Sequence, residues 1–216
     1  MIITDNIQNI IFDMGGVLVG LDATQCINAM HTAGCGVLAN YVEEHRTEDL
    51  FLDTELGRID AEGFCDEVRR LCCEGATDDN SNATTPTNER IIWAWNELLT
   101  GIPLRKLHAL AELKRRGKRL FLLSNTNIMH WERCRDEFFT ADNRQATDYF
   151  DKIFLSYEMH LAKPDAEIFR QAVAQAGINA ADTLFIDDNL DNCRSAESIG
   201  LHSLHEDTGE RWLGML

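Results

Sequence analysis

The sequence predicts an α/β fold: a Rossmann-like parallel sheet with helices on both faces, plus a helical cap inserted after the first strand. Three observations carry that prediction. Short apolar runs rich in Ile, Leu and Phe have the length of buried strands, helical patterns alternate with them, and the stretch Leu21–Leu99 keeps the helical patterns but shows no strand.

Strands are expected at Asn9–Phe12, Arg119–Leu123, Lys152–Leu155 and Thr183–Ile186, with a weaker fifth at Leu201–Leu204. Their apolar runs lack the alternation of a half-exposed strand, as expected of parallel strands covered on both faces. Between them, helices are expected at Pro103–Arg116, Ile128–Phe138, Asp165–Ala176 and Leu190–Ile199. Pro103 suits a first helical turn, Asn127 can cap its helix, and Gly117 and Gly177 stand where helix C-terminal glycines belong.

From Leu21 to Leu99 the helical segments are Ala23–Thr32, Val37–His45, Glu48–Leu56, Ala61–Cys73 and Asn88–Leu99. Residues 1–20 and 100–216 are therefore expected to form the sheet core and residues 21–99 the cap. Glu74–Pro86, polar and rich in Gly, Ser, Thr and Asn, reads as a loop within the cap, and Thr140–Thr147 as a second surface excursion. There is no internal repeat and no heptad pattern.

With 216 residues and 44% hydrophobic content the chain can bury a substantial core. Its 20 Lys and Arg against 36 Asp and Glu leave a formal charge of −16, which argues against nucleic acid or an anionic membrane as partner. A small anionic substrate would have to be drawn in by a local cation or a metal. Met1–Asn9 has no basic stretch leading into a long apolar run, and runs such as Leu120–Leu123 are too short to span a bilayer. Seven cysteines with no C-x-x-C pair suggest small core residues in a reducing cytoplasm rather than a disulfide framework or zinc site. Oligomeric state leaves no mark in the sequence.

Four polar clusters each follow a predicted strand, so each falls at the C-terminal edge of the sheet, where open α/β folds bind ligands. In IIFDMGGVLV, Asp13 ends the strand as a carboxylate able to attack phosphorus, and Gly15-Gly16 let the backbone approach a ligand closely. In FLLSNTN, Ser124 and Asn125 offer a hydroxyl and an amide to phosphate oxygens. In LAKPDAEIF, Lys163 stands at a helix entrance, suited to neutralising charge on a transferred group. In LFIDDNLDN, the paired carboxylates Asp187 and Asp188 repel each other unless a cation sits between them. With Asp13 they form an oxygen-rich site of the kind Mg²⁺ prefers. Asp188 is the better ligand candidate, with Asp187 close by, while Asp191 and Asn192 are expected to cap the next helix. Taken singly, each cluster has a plainer explanation: a glycine turn, a helix cap, a solvent-facing lysine. Together they can hold one phosphate.

The order and spacing of these motifs, D-x-G-G-V at Asp13, S-N at Ser124, K-P at Lys163 and D-D at Asp187, resemble the haloacid dehalogenase-like hydrolase superfamily over nearly the whole chain. The helical insertion resembles the cap of its first subclass. LSNTN followed by His130-Trp131, and the D-D-N-x-x-N run, resemble the branch of sugar-1-phosphate phosphatases and the phosphatase domain of soluble epoxide hydrolase. The resemblance implies a Rossmann-like core, Mg²⁺, an aspartyl-phosphate on Asp13 and a small phosphorylated metabolite as substrate. It assigns Asp13 and Lys163 to catalysis and Ser124, Asn125 and Lys163 to phosphate. The metal falls to Asp13, the Gly15 backbone carbonyl, Asp188 and Asp187.

One position departs from the family. Most phosphatases of the superfamily carry a second Asp two residues after the nucleophile as general acid and base, and here that position is Gly15. A general acid/base commonly supplies on the order of 10²–10⁴-fold in rate. Its loss favours acidic leaving groups, so a sugar-1-phosphate, aryl phosphate or acyl phosphate is expected. Two rivals stand beside this reading. A true dehalogenase needs no metal, which the Asp187-Asp188 pair argues against. A non-catalytic or slow phosphate-binding protein would leave Asp13 phosphorylated without turnover. Substrate choice is expected to lie in the cap, where the turn Glu55-Leu56-Gly57-Arg58 is the one to watch: Arg58 could meet a substrate hydroxyl or phosphate, while a solvated turn is the plainer reading. His31 and His45 are candidates for water activation, though neither is assigned. Trp93 and Trp95, two apart on one helix, cannot share a face, and at least one is expected to pack cap against core.

Overall fold

The computed structural model describes residues 6–44, 50–74 and 85–215. His45 and most of the polar cap loop, residues 75–84, lie outside the described residues. In chain order, β1 (Asn9–Phe12) and β2 (Gly20–Leu21) lead into five cap helices: α1 (Ala23–Ala33), α2 (Gly36–Glu43), α3 (Leu50–Glu55), α4 (Ala61–Glu74) and α5 (Asn88–Asn96). Then follow β3 (Leu99–Gly101), α6 (Leu104–Arg115), β4 (Arg119–Ser124), α7 (Ile128–Arg133), α8 (Ala146–Tyr149), β5 (Lys152–Leu155) and α9 (Ser156–Met159). The chain ends with α10 (Ala166–Ala176), β6 (Thr183–Asp187), α11 (Leu190–Ser198), β7 (His202–His205) and a 3₁₀ turn, Arg211–Met215.

Five strands form one sheet in the order β5-β4-β1-β6-β7, every neighbouring pair parallel. Side chains alternate along each strand and so divide between its faces. Ile10, Phe12, Leu120, Leu122, Leu184 and Ile186 point to one side, where α6 adds Leu107, Leu110 and Leu113 and the C-terminal turn adds Trp212. Ile11, Phe121, Leu123, Phe154 and Phe185 point to the other, against Ile168, Phe169 and Ala172 of α10 and Ala196 of α11. Strand order reverses at β1, because β4 and β5 add on one side of it and β6 and β7 on the other. That reversal is the topological switch point of the sheet.

A third cluster fills the cap with Cys26, Met30, Leu38, Phe64, Ile91 and Trp95, joined by Met129 from α7. Trp95 stacks on Phe51 at 4.8 Å within the cap and on His130 of the core at 4.7 Å. The His130 Nε2 lies 3.2 Å from the Trp95 carbonyl, while Trp93 is exposed. One tryptophan therefore packs cap against core and its neighbour faces solvent.

The structure departs from the expected elements at the junction of cap and core and along α7. Leu21–Leu99 is not free of strand: Gly20–Leu21 pairs antiparallel with Leu99–Gly101, so the two crossings between core and cap run side by side as a short ribbon. Strands of two and three residues carry no periodicity to read. Leu99 accordingly leaves the helix expected over Asn88–Leu99, which ends at Asn96. The expected helix Ile128–Phe138 is α-helical only to Arg133 and widens into a π-helical turn over Cys134–Phe138.

Candidate active site

The residues after β1 begin the site. The Asp13 amide donates to Ile186 O at 2.9 Å, extending the β1–β6 pairing by one residue and fixing Asp13 at the sheet edge. The chain then turns back on itself, with the amides of Leu18 and Val19 donating to Met14 O. Gly16 has φ +70°, and a Cβ there would lie 2.1 Å from Asp188 Oδ2. Only a glycine lets the turn and that carboxylate come so close. Gly15 is different. Its φ is ordinary, and a Cβ would meet the Leu21 Cδ1 of β2 at 3.4 Å.

Lys163 is the hub. Its side chain is 1% exposed, and Nζ lies 2.8 Å from Asp13 Oδ1, 2.6 Å from Asp187 Oδ2 and 3.0 Å from Leu123 O. An ammonium has three protons to donate, and all three are directed. Burial works against the charged lysine, but the adjoining Asp13 and Asp187 carboxylates outweigh it and hold its pKa above the ordinary value. The Asp13 carboxyl is pushed up to about 7 by burial, against the pull of Lys163.

Asp187 ends β6 fully buried, and both its oxygens are engaged. Oδ1 accepts from the Asn189 amide at 2.8 Å and from Asn192 Nδ2 at 3.0 Å, and Oδ2 takes Lys163. Asp188 is exposed as a residue but its carboxyl is partly buried, and that burial, followed by the Asp187 charge, raises its pKa. Carboxylate oxygens of Asp13, Asp187 and Asp188 lie within 4.8 Å of one another. Three carboxylates against one ammonium leave an excess of negative charge, and hard oxygen donors on Asp13 and Asp188 fit a cation such as Mg²⁺.

The serine cluster is more divided. Ser124 is buried at the end of β4, its hydroxyl donating to Asn125 O at 3.3 Å. Asn125, expected to reach phosphate, is turned instead to the backbone of Lys163. Its Nδ2 donates to Lys163 O at 2.9 Å and its Oδ1 accepts from Lys163 N at 2.8 Å. A short polar side chain satisfies a neighbouring loop before it reaches outward, and here that sets the lysine's position.

Asn192 also departs from expectation. The cap of α11 is Asn189, whose Oδ1 accepts from the amides of Asp191 and Asn192, while the Asn192 side chain clamps Asp187. The sign was present in D-D-N-x-x-N, since the second Asn follows the cap by about one helical turn and faces back to the strand end. In the cap turn, Arg58 is exposed and paired with Asp53 at 2.8 Å. His31 is exposed as well.

A family model for haloacid dehalogenase-like hydrolases matches residues 7–200. A D-ribitol-5-phosphate phosphatase of Bacteroides thetaiotaomicron is 29% identical over 208 residues, 95% of each chain. The crystal structure of a HAD family enzyme from Bacteroides thetaiotaomicron, in complex with magnesium and inorganic phosphate, is 35% identical with a TM-score of 0.87, covering 97% of this chain and 99% of that one. A HAD-like family hydrolase of Porphyromonas gingivalis is 33% identical with a TM-score of 0.81, covering 96% and 95%. A dehalogenase structure at 18% identity and TM-score 0.62, covering 93% and 84%, shares the fold alone.

Proposed function

The chain belongs to the haloacid dehalogenase-like hydrolases, and on that premise we propose that it is a Mg²⁺-dependent phosphatase that hydrolyses a small phosphomonoester through an aspartyl-phosphate on Asp13. The observation that carries this reading is the buried Lys163 bridging Asp13 and Asp187, beside an Asp13–Asp187–Asp188 oxygen cluster. Asp13 attacks phosphorus. Lys163 holds Asp13 in place and offsets charge on the transferred phosphoryl group, and the Ser124 hydroxyl donates to a phosphate oxygen. Asp13, Asp188 and the Gly15 carbonyl would hold Mg²⁺, with Asp187 anchoring Lys163 rather than the metal. When bound, the ion neutralises phosphate charge and keeps nucleophile and substrate in register.

Residues 21–99 act as a cap over a core of residues 1–20 and 100–216. The substrate is a small phosphorylated metabolite. The activity named for the Bacteroides relative is on a polyol ester, D-ribitol 5-phosphate, and Gly15 by itself favours more acidic leaving groups such as anomeric, aryl or acyl phosphates. A net charge of −16 disfavours nucleic acid, and no helix among the described residues is long and apolar enough to cross a membrane. Seven free thiols suit the reducing cytoplasm.

The test is phosphate release from a panel of polyol, sugar-1-, aryl and acyl phosphates with Mg²⁺. Release that stops on chelation and in Asp13→Asn is expected. No release from any compound would overturn the reading in favour of a phosphate-binding protein.

A further inference from the structure

Gly15 leaves the core without the usual acid/base, and a carboxyl of the cap, Glu55, stands near enough to Lys163 to feel its charge. Glu55 is the last residue of α3, and the turn that follows it is pressed onto the core. Gly57 has φ +64°, and a Cβ there would lie 2.2 Å from Tyr157 O of α9. The Leu56 carbonyl lies 2.8 Å from His160 Nδ1, three residues before Lys163. Arg58 pairs with Asp53. The end of α3 therefore abuts the segment that presents the lysine. Lys163 is the charged group the Glu55 carboxyl feels, and among the described residues nothing hydrogen-bonds to it. Lys163 in turn touches Asp13 at 2.8 Å.

We propose that Glu55, delivered by the cap, is the general acid and base of this site, taking the part that Gly15 leaves open. The inference rests on the phosphatase reading above. Asp13 Oδ attacks phosphorus, the bond from phosphorus to the ester oxygen breaks with its electron pair on that oxygen, and the Glu55 carboxyl gives it a proton to release an alcohol. The resulting Glu55 carboxylate accepts a proton from water as the water oxygen attacks phosphorus. The bond from phosphorus to Asp13 Oδ then breaks, inorganic phosphate leaves, and Glu55 is again protonated. Burial pushes the Glu55 carboxyl up to about 7, against the pull of Lys163, so both protonation states are accessible near neutrality. The other polar groups at the turn, Tyr157 and His160 from the core and the Arg58–Asp53 pair from the cap, are committed to contacts of their own.

The catalytic site is thus complete only with the cap seated, and a primary alkyl phosphate becomes a competent substrate despite Gly15. The experiment compares kcat/KM of wild type and Glu55→Gln for p-nitrophenyl phosphate, phenyl phosphate and glycerol 3-phosphate with Mg²⁺. Because kcat/KM reports steps up to loss of the leaving group, Glu55→Gln should lower the alkyl ester by roughly 10²–10⁴-fold, phenyl phosphate less, and p-nitrophenyl phosphate least. The variant should also accumulate phospho-Asp13 during p-nitrophenyl phosphate turnover, seen as a burst of nitrophenol and by mass spectrometry. An equal loss on all three esters, or no loss, would overturn the role of Glu55 and leave the phosphatase standing. Wild type inert towards all three would overturn both.

Discussion

At the scale of single residues, the site is held by contacts that leave little freedom. Gly16 is the sharpest case, because any side chain there collides with Asp188 Oδ2. Gly16→Ala is expected to push that carboxylate aside and weaken Mg²⁺ binding by about 10–100-fold, the range seen when metal-site geometry is disturbed. Isothermal titration with Mg²⁺ measures this, with circular dichroism to confirm that the fold persists, and unchanged affinity would mean that Asp188 is not a ligand. Residue types were readable in the sequence at this scale, but their partners were not. Asp13, Lys163 and the acidic pair stand out by type and spacing. Whether Asn125 faces phosphate or the Lys163 backbone, and whether Asn192 caps a helix or clamps Asp187, depends on groups 38 and 5 positions away. No local pattern encodes the first of these distances.

At the scale of elements, the long core helices could be read because periodicity and end signals agree over ten or so residues, and the central strands because each is an unbroken apolar run. Asn127 caps as expected, accepting an amide of its own first turn, and Asp165 does the same for α10. The β2–β3 ribbon could not, because so short a pairing exists only through its partner. The cap turn lies between these extremes: Gly57 marks it, but only the fold shows that Leu56 meets His160 of the core while Arg58 pairs with Asp53. That turn gives a prediction of its own. Gly57→Ala combines a left-handed backbone with a clash against Tyr157 O. It should cost about 1–3 kcal/mol in thermal or urea unfolding and raise KM as the turn lifts from the core. A variant with wild-type stability and KM would show that the cap does not rest on this contact.

Across the whole molecule, cap and core meet at a buried imidazole. His130 takes a hydrogen bond at Nδ1 from the Asn127 amide, 3.3 Å away, so its Nε2–H donates to Trp95 O across the junction. Burial holds its pKa down to about 4, from an ordinary 6.5. The neutral ring is the folded form, so its contribution is full above about pH 6.5 and is lost as pH falls toward 4. Between about pH 7 and pH 5 this group alone should remove roughly 2 kcal/mol of stability. Urea unfolding at both pH values should show a smaller fall for His130→Gln than for wild type; equal falls would mean that the ring is already charged or exposed. The overall α/β class and the inserted cap were readable from the order of strand and helix patterns. The docking of one on the other was not, since His130 and Trp95 are ordinary residues until the fold stacks them.

The reversal of strand order at β1 has a consequence for how the chain assembles. Of the sheet strands described, the earliest made is the central one, and both its neighbours, β4 and β6, are synthesised much later: Asn9 pairs with Arg119 and with Thr183. Until then its apolar face has no sheet to join. The cap cluster, by contrast, draws almost wholly on Cys26 through Trp95, a contiguous stretch. Local contacts close with less loss of entropy and so form sooner. On a growing chain the accessory unit is therefore the first able to bury a core, and β1 waits at its base for the strands that will flank it.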